Sequence, residues 1–325
     1  MTESIIDFHS HYIDPEVIPA LPPGSSPSLR DRWAALTDLD AQLRAMEVGG
    51  VDRRVLSSPA ALLAGDAGSL GSDVVRAVND SLARLASRHP DRISVMATID
   101  AFSGETAAAE LERAVRQLGV TVACVDCARG PWLLDAPQAR PTLEAAASLG
   151  VSIFVHPVNP APLGERFAQL GAAGRLLARA GETSLTLLAL LRSDVLVRLP
   201  SLRIVVPMIA VAGLLQAALY DDEVGWEGVT PSRERQRFFV DTMGLDPPSL
   251  RLAVDLVGIN HVLVGTDYPI VHKDPSGTVI SERLDAAGIR GPIRRAITSE
   301  TASALLALQP SGSSSRELRD SAGPG

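Results

Sequence analysis

Two cysteines in 325 residues leave no room for a disulfide-stapled fold. They stand as Cys124 and Cys127 in Val-Ala-Cys-Val-Asp-Cys, a run that reads as a strand. Side chains three positions apart on a strand face opposite sides, so the two thiols do not meet. The pattern predicts reduced packing cysteines in a cytoplasmic protein. Lysine is almost missing, with Lys273 the only one among 30 basic residues. Against 38 acidic residues the formal net charge is −8, and no basic stripe interrupts it, which argues against a nucleic-acid partner. Long apolar runs are also lacking. The stretch 185–197 is broken by Arg192 and Asp194 and is too short to span a bilayer, so no membrane partner is expected. The opening Met1-Thr2-Glu3-Ser4 has no basic start, and Ile5-Ile6-Asp7 is too short an apolar run for a secretory leader.

What is present is a chain with 46% apolar and 21% charged residues, a composition that folds around a sizeable core. Short β-branched runs alternate with longer segments of helical period. Strands are expected at 5–9, 51–59, 93–99, 120–127, 151–156, 202–208, 237–242 and 261–266. Helices are expected at 72–88, 107–118, 136–149, 213–220, 248–257 and 291–308, with a long helical region, two helices, at 163–199. Eight strands each followed by helix predict an α/β protein, a (β/α)8 TIM-like barrel over residues 1–308. A three-layer α/β sheet is the alternative topology. Residues 12–36, rich in proline, glycine and serine, leave the first strand directly and form a candidate lid. Residues 309–325 read as a disordered polar tail.

The chemistry concentrates at strand ends. His9 and His11 close the first strand in Asp7-Phe8-His9-Ser10-His11. Residues two apart on a strand share a face, so both imidazoles can meet one cation. Alone, such a pair is weak evidence. His156 ends another strand in Ile153-Phe154-Val155-His156-Pro157, and Asp267 follows a third in Val264-Gly265-Thr266-Asp267-Tyr268-Pro269. C-terminal strand ends are where barrel active sites are built. Three imidazoles and a carboxylate suit a divalent metal with one open position, zinc first and manganese second. Four polar residues satisfied without a metal are the competing reading.

With these residues the chain resembles the amidohydrolase-2 group, which includes aminocarboxymuconate-semialdehyde decarboxylase and the resorcylate decarboxylases. The likeness extends to Asn79-Asp80-Ser81-Leu82, His89-Pro90-Asp91-Arg92, Arg198-Leu199-Pro200-Ser201-Leu202-Arg203 and Phe239-Val240-Asp241-Thr242. It implies that His9, His11, His156 and Asp267 hold the metal, that a small molecule is the substrate, and that the protein is a homodimer. One position departs. Where the group carries a water-activating histidine after the sixth strand, this chain has Met208, and a thioether accepts no such proton. Three readings follow: non-oxidative decarboxylation of a small aromatic or unsaturated acid, with Asp267 moving the proton; ring closure or dehydration on an aromatic amide, as in cyclases of natural-product pathways; or a non-catalytic metal-binding barrel. His272, in a loop beyond Asp267, is a candidate replacement base or else a solvated loop histidine. Met208 and Trp132 are candidate walls for an aromatic substrate, and Trp132 reads equally as packing.

Overall fold

β1 (Ile6–His11) is buried at every position, because one side faces the barrel interior and the other faces helices. The computed structural model describes residues 4–25, 27–64, 69–158, 161–217, 234, 237–244, 246–271 and 276–307. Within them β1 pairs in parallel with β2 (Arg53–Ser57), and β2 with β3 (Ile93–Val95). Met96 bends the chain, donates its N–H to Leu56, and leads into β4 (Ala97–Ile99). The parallel order continues through β5 (Val122–Asp126). A two-residue hairpin, β6 (Ala128–Arg129) and β7 (Trp132–Leu133), stands outside the barrel wall. The wall resumes at β8 (Ser152–His156), β9 (Arg203–Val206), β10 (Phe238–Asp241) and β11 (Val262–Leu263). Closure back to β1 is made by the Phe8 N–H on the Val264 carbonyl at 2.8 Å and by a bridge between Ser10 and Tyr268. With β3 and β4 counted as one bent strand, this is the eight-stranded parallel barrel expected from the sequence.

Two apolar clusters follow from the two faces of the wall. Phe8, Val55, Met96, Val122, Cys124, Phe154, Val205 and Leu263 fill the interior. The larger cluster lies between wall and helices and contains Cys127. The two cysteines therefore point to opposite sides, and burial pushes the Cys127 thiol up to about 12. Both behave as packing groups. No helix among the described residues is long and apolar enough to cross a membrane.

Several boundaries differ from the sequence reading. The helix Ser72–Arg88 is as expected. The helices Leu39–Gly49 and Gly277–Ala286 were not anticipated, although each has a good N-cap, Asp38 on the Ala41 N–H and Ser276 on the Val279 N–H. Region 163–199 is more broken than two helices, with Ala161–Phe167, a 3-10 turn, Gly171–Arg192 and the short Val195–Arg198. β9 stops at Val206, so Met208 opens a 3-10 turn instead of ending a strand. The last helix is interrupted by a π-helical stretch at Ala296–Glu300. Within 12–36, Pro27–Thr37 is helical. The preceding stretch is tied to the strand ends: Tyr12 donates its N–H to Ser57, Ile13 to Leu36, and Asp14 accepts from the Ser81 hydroxyl. The expected tail lies outside the described residues.

Candidate metal centre

His9 and His11 sit at the C-terminal end of β1, each about 1% exposed. Between Asp7 and Ser10 the register against β2 shifts, a bulge at the place where His9 enters the mouth. The hydrogen bonds of both rings assign their tautomers. Asp241 ends β10, and its Oδ1 accepts the Met208 and Met243 N–H groups at 2.9 Å each. Its Oδ2 lies 2.6 Å from His9 Nδ1, so that nitrogen is the donor. His11 Nδ1 lies 2.9 Å from Ser57 Oγ. The Ser57 hydroxyl already donates to the Ser10 carbonyl at 3.2 Å, so His11 Nδ1 donates as well.

Both Nε2 atoms therefore present lone pairs, and both face the same oxygen. Asp267 Oδ1 is 2.8 Å from His11 Nε2 and 3.5 Å from His9 Nε2. His9 Nε2 is buried without a hydrogen-bond partner. Two lone pairs directed at a carboxylate oxygen repel unless a positive centre lies among them. Each of the three residues offers a ligand atom within 4.8 Å of the other two. The donor set fits a divalent cation.

The protonation tendencies follow from burial and neighbours. For His9, burial opposes the charged form, but Asp241 and then Asp267 outweigh it and raise the pKa. For His11, burial wins over the Asp267 contact and lowers it. His156, ending β8, is held well below the usual range by burial and then by His11 and His9. Its ring centroid is 5.2 Å from that of His11 and 6.5 Å from that of His9. It thus shares the mouth but stands just outside the tight group of three. Its Nδ1 is 3.7 Å from Asp126 Oδ1, at the end of β5, and neither atom has a hydrogen-bond partner. Burial pushes the Asp126 carboxyl up to about 7. Burial also disfavours the Asp267 carboxylate, yet His9 and His11 more than compensate and lower its pKa.

Asp267 is placed by its backbone. Its φ is +56°, the left-handed region that aspartate tolerates better than most residues. The N–H groups of Thr266 and Asp267 both reach the His9 carbonyl, at 3.2 and 2.7 Å. Gly265 permits this approach, since a Cβ there would lie 2.7 Å from His9 Cβ and 2.8 Å from Asp241 Cβ. Gly265→Ala should therefore displace His9 or Asp241. We expect about 1–3 kcal/mol of destabilisation together with weaker metal retention. Urea unfolding and metal content measured on the same preparation check it; a variant with wild-type values for both would contradict this packing.

The cavity over these residues is small, about 20 Å³, and opens to solvent. His9, His156, Asp267 and Arg179 face apolar walls from Leu62, Leu176, Ile209, Met243 and Ile270. Two expected wall residues are not in it. Met208 begins its 3-10 turn with its N–H on Asp241, and its partly buried side chain packs on the outer core, so Ile209 forms the wall instead. Trp132 sits on the hairpin, 37% exposed, with the Arg129 guanidinium 5.6 Å from its ring centre. His272 lies outside the described residues. The sequence reading also passed over Asp126 and Asp241, although both are carboxylates at C-terminal strand ends and the same rule would have found them. Arg179 carries no sequence signal, being one helical arginine among many.

Known proteins resemble this chain in sequence and in fold. A gamma-resorcylate decarboxylase from Polaromonas sp. (strain JS666 / ATCC BAA-500) is 28% identical over 269 residues, covering 76% of this chain and 81% of that protein. The crystal structure of 5-carboxyvanillate decarboxylase from Sphingomonas paucimobilis superposes with a TM-score of 0.81 at 20% identity, over 95% of this chain and 100% of that one. A dihydroxybenzoic acid decarboxylase from Polaromonas sp. JS666, solved with bound manganese and the inhibitor 2-nitroresorcinol, superposes with a TM-score of 0.75 at 22% identity, over 94% of this chain and 97% of that one. At these identities the two structures establish the fold. The amidohydrolase family model matches residues 6–308, the whole barrel with its strand-end histidines and aspartate, and the chain belongs to that family.

Proposed function

We propose that this chain is a metal-dependent, non-oxidative decarboxylase of a small hydroxylated aromatic acid. The observation that carries the reading is the convergence of His9 Nε2 and His11 Nε2 on Asp267 Oδ1, a donor set that fits a divalent cation. His9, His11 and Asp267 would hold the ion, with His156 completing the set from the same cavity. A divalent ion there supplies a Lewis acid for substrate oxygens. The three imidazoles favour zinc, while the dihydroxybenzoic acid decarboxylase with bound manganese favours manganese. Elemental analysis of the purified protein distinguishes them.

The residues of the chain supply the remaining steps. The ring–carboxyl bond breaks, carbon dioxide leaves, and the electron pair stays on the ring carbon. Asp267, kept ionised by His9 and His11, would take the proton from the substrate hydroxyl and pass it to this carbon, and solvent then returns a proton to the phenolate. Asp241 and Ser57 keep His9 and His11 in the tautomers that leave Nε2 free. Leu62, Leu176 and Ile209 exclude water from the ring. Residues 12–36, anchored at the strand ends through Tyr12 and Ile13, would cover the mouth as a lid.

The alternative reading, ring closure or dehydration of an aromatic amide, required Met208 in the mouth, and its side chain packs on the outer core instead, which favours decarboxylation. One assay separates the two. The metal-loaded protein is given a panel of hydroxybenzoates, including 2,6-dihydroxybenzoate, and carbon dioxide is measured. Release that stops with a chelator and returns with metal is the expected result. No release from any acid of the panel, by the wild type or by Met208→His, would overturn decarboxylation.

A further inference from the structure

Arg179 lies on the helix Gly171–Arg192 and lines the same cavity as His9, His156 and Asp267. Its Nε is shielded from solvent and has no hydrogen-bond partner. Among the described residues no carboxylate closes an ion pair on its guanidinium. Other shielded arginines of this protein have a carboxylate, a carbonyl or a ring beside them, although the three Arg54 nitrogens and Arg92 Nε also lack a hydrogen-bond partner. Arg113 is held by Glu110 at 2.7 Å and Asp80 at 2.8 Å. Arg129 reaches Asp100 at 2.5 Å and the Phe102 carbonyl at 2.6 Å. Arg54 stands against Asp7 and over the Tyr268 ring. The cavity it lines is otherwise walled largely by apolar side chains, among them Leu62, Leu176 and Ile209, none of which accepts a hydrogen bond. Burial works against its charge, Asp267 favours it, and Arg175 opposes it to a lesser degree.

Arg179 is partly buried, and a guanidinium nitrogen shielded from water without a partner is costly until an anion pairs with it. The planar fork of arginine matches a carboxylate with two parallel hydrogen bonds. We propose that Arg179 is the anion-recognition residue of this site and that it pairs with the carboxylate of an aromatic acid bound in the cavity. The identity of the reaction rests on the decarboxylase reading; the ligand class does not. Because the pair forms in the bound acid and dissolves as the carboxylate departs as neutral carbon dioxide, Arg179 governs binding more than turnover. It selects acids over their neutral isosteres.

The test uses full-length, metal-loaded protein and two unreactive probes of equal shape, benzoate and benzamide, titrated at equilibrium. The wild type should prefer benzoate. Arg179→Met should lose about 10- to 100-fold of that preference, the range for a charge-assisted hydrogen bond, while its benzamide affinity stays within about twofold. Arg179→Lys should keep part of the preference, and it serves as the second variant if Arg179→Met folds poorly. Metal content should match wild type in both. On any acid that is turned over, KM should rise with kcat little changed. The proposal is overturned if the wild type shows no preference for benzoate, if Arg179→Met retains it in full, or if both ligands weaken in parallel. If benzoate preference is lost in the variant but no acid is decarboxylated by the wild type, the reaction is wrong and the anion site stands. If carbon dioxide is released and the preference ignores Arg179, the reverse holds.

Discussion

Asp267→Asn should leave a folded protein that has lost its metal and with it its activity. The backbone at this position, φ +56°, is one that asparagine adopts as readily as aspartate, so the turn survives. The side chain does not serve the same purpose. In the wild type, Asp267 Oδ1 sits 2.8 Å from His11 Nε2 and 3.5 Å from His9 Nε2, and a divalent cation bound among them satisfies all three. An amide brings its own N–H to the His11 lone pair and neutralises the repulsion without any ion. Metal affinity should fall, and proton delivery to the ring carbon is removed as well. The proton transfer alone is worth about 10²–10⁴-fold in rate. Elemental analysis and carbon dioxide release from the best hydroxybenzoate give both readouts. Full metal occupancy together with undiminished turnover would refute the assignment of Asp267.

Asp7→Ala should be the most destabilising single change near the site, although Asp7 touches neither metal ligand side chain. Its Oδ1 accepts the His9 N–H at 3.3 Å and the Thr266 N–H at 3.0 Å. Its Oδ2 accepts the Ser10 hydroxyl at 2.6 Å and the Thr266 hydroxyl at 2.7 Å. One carboxylate thus fastens the histidine strand to the loop carrying Asp267, at the seam where the barrel closes. It is also the charge partner of Arg54, which is 0% exposed, with Nε 3.6 Å from Asp7 Oδ2. Burial lowers the pKa of Arg54, and Asp7 is the main opposing influence. Removing one partner of a buried pair costs about 3–5 kcal/mol, because the other charge remains in a site built for two. Urea denaturation should show a loss of this size. Replacing both, Asp7→Ala with Arg54→Met, should recover part of it, since a buried pair exchanged for apolar groups is close to neutral. A single variant as stable as wild type, or a double variant that recovers nothing, would show that the seam is held otherwise.

The sequence determined by itself whatever depends on period and on strand ends. Runs of β-branched residues buried on both faces have no alternation to mislead a reader, and their regular spacing yielded the barrel and the helix Ser72–Arg88. Those strand ends gave His9, His11, His156 and Asp267 because a parallel barrel gathers its C-terminal ends at one mouth. The tertiary structure alone decided the rest. Tautomers, and hence which nitrogens are free, depend on Asp241 and Ser57, which lie 232 and 46 positions away from their histidines in the chain. That His9 and His11 draw closer to Asp267 than His156 does is a matter of ångströms set by the bulge in β1 and by the Gly265 approach, and neither has a periodic signature. Met208 shows the limit from the other side. A strand continued for two more residues would have set it on the outer face with Val206, and as it is the strand ends at Val206 and Ile209 takes the wall. Arg179 became visible only when the absence of a partner could be seen, because an unpaired charge is a property of its surroundings and not of its place in a sequence.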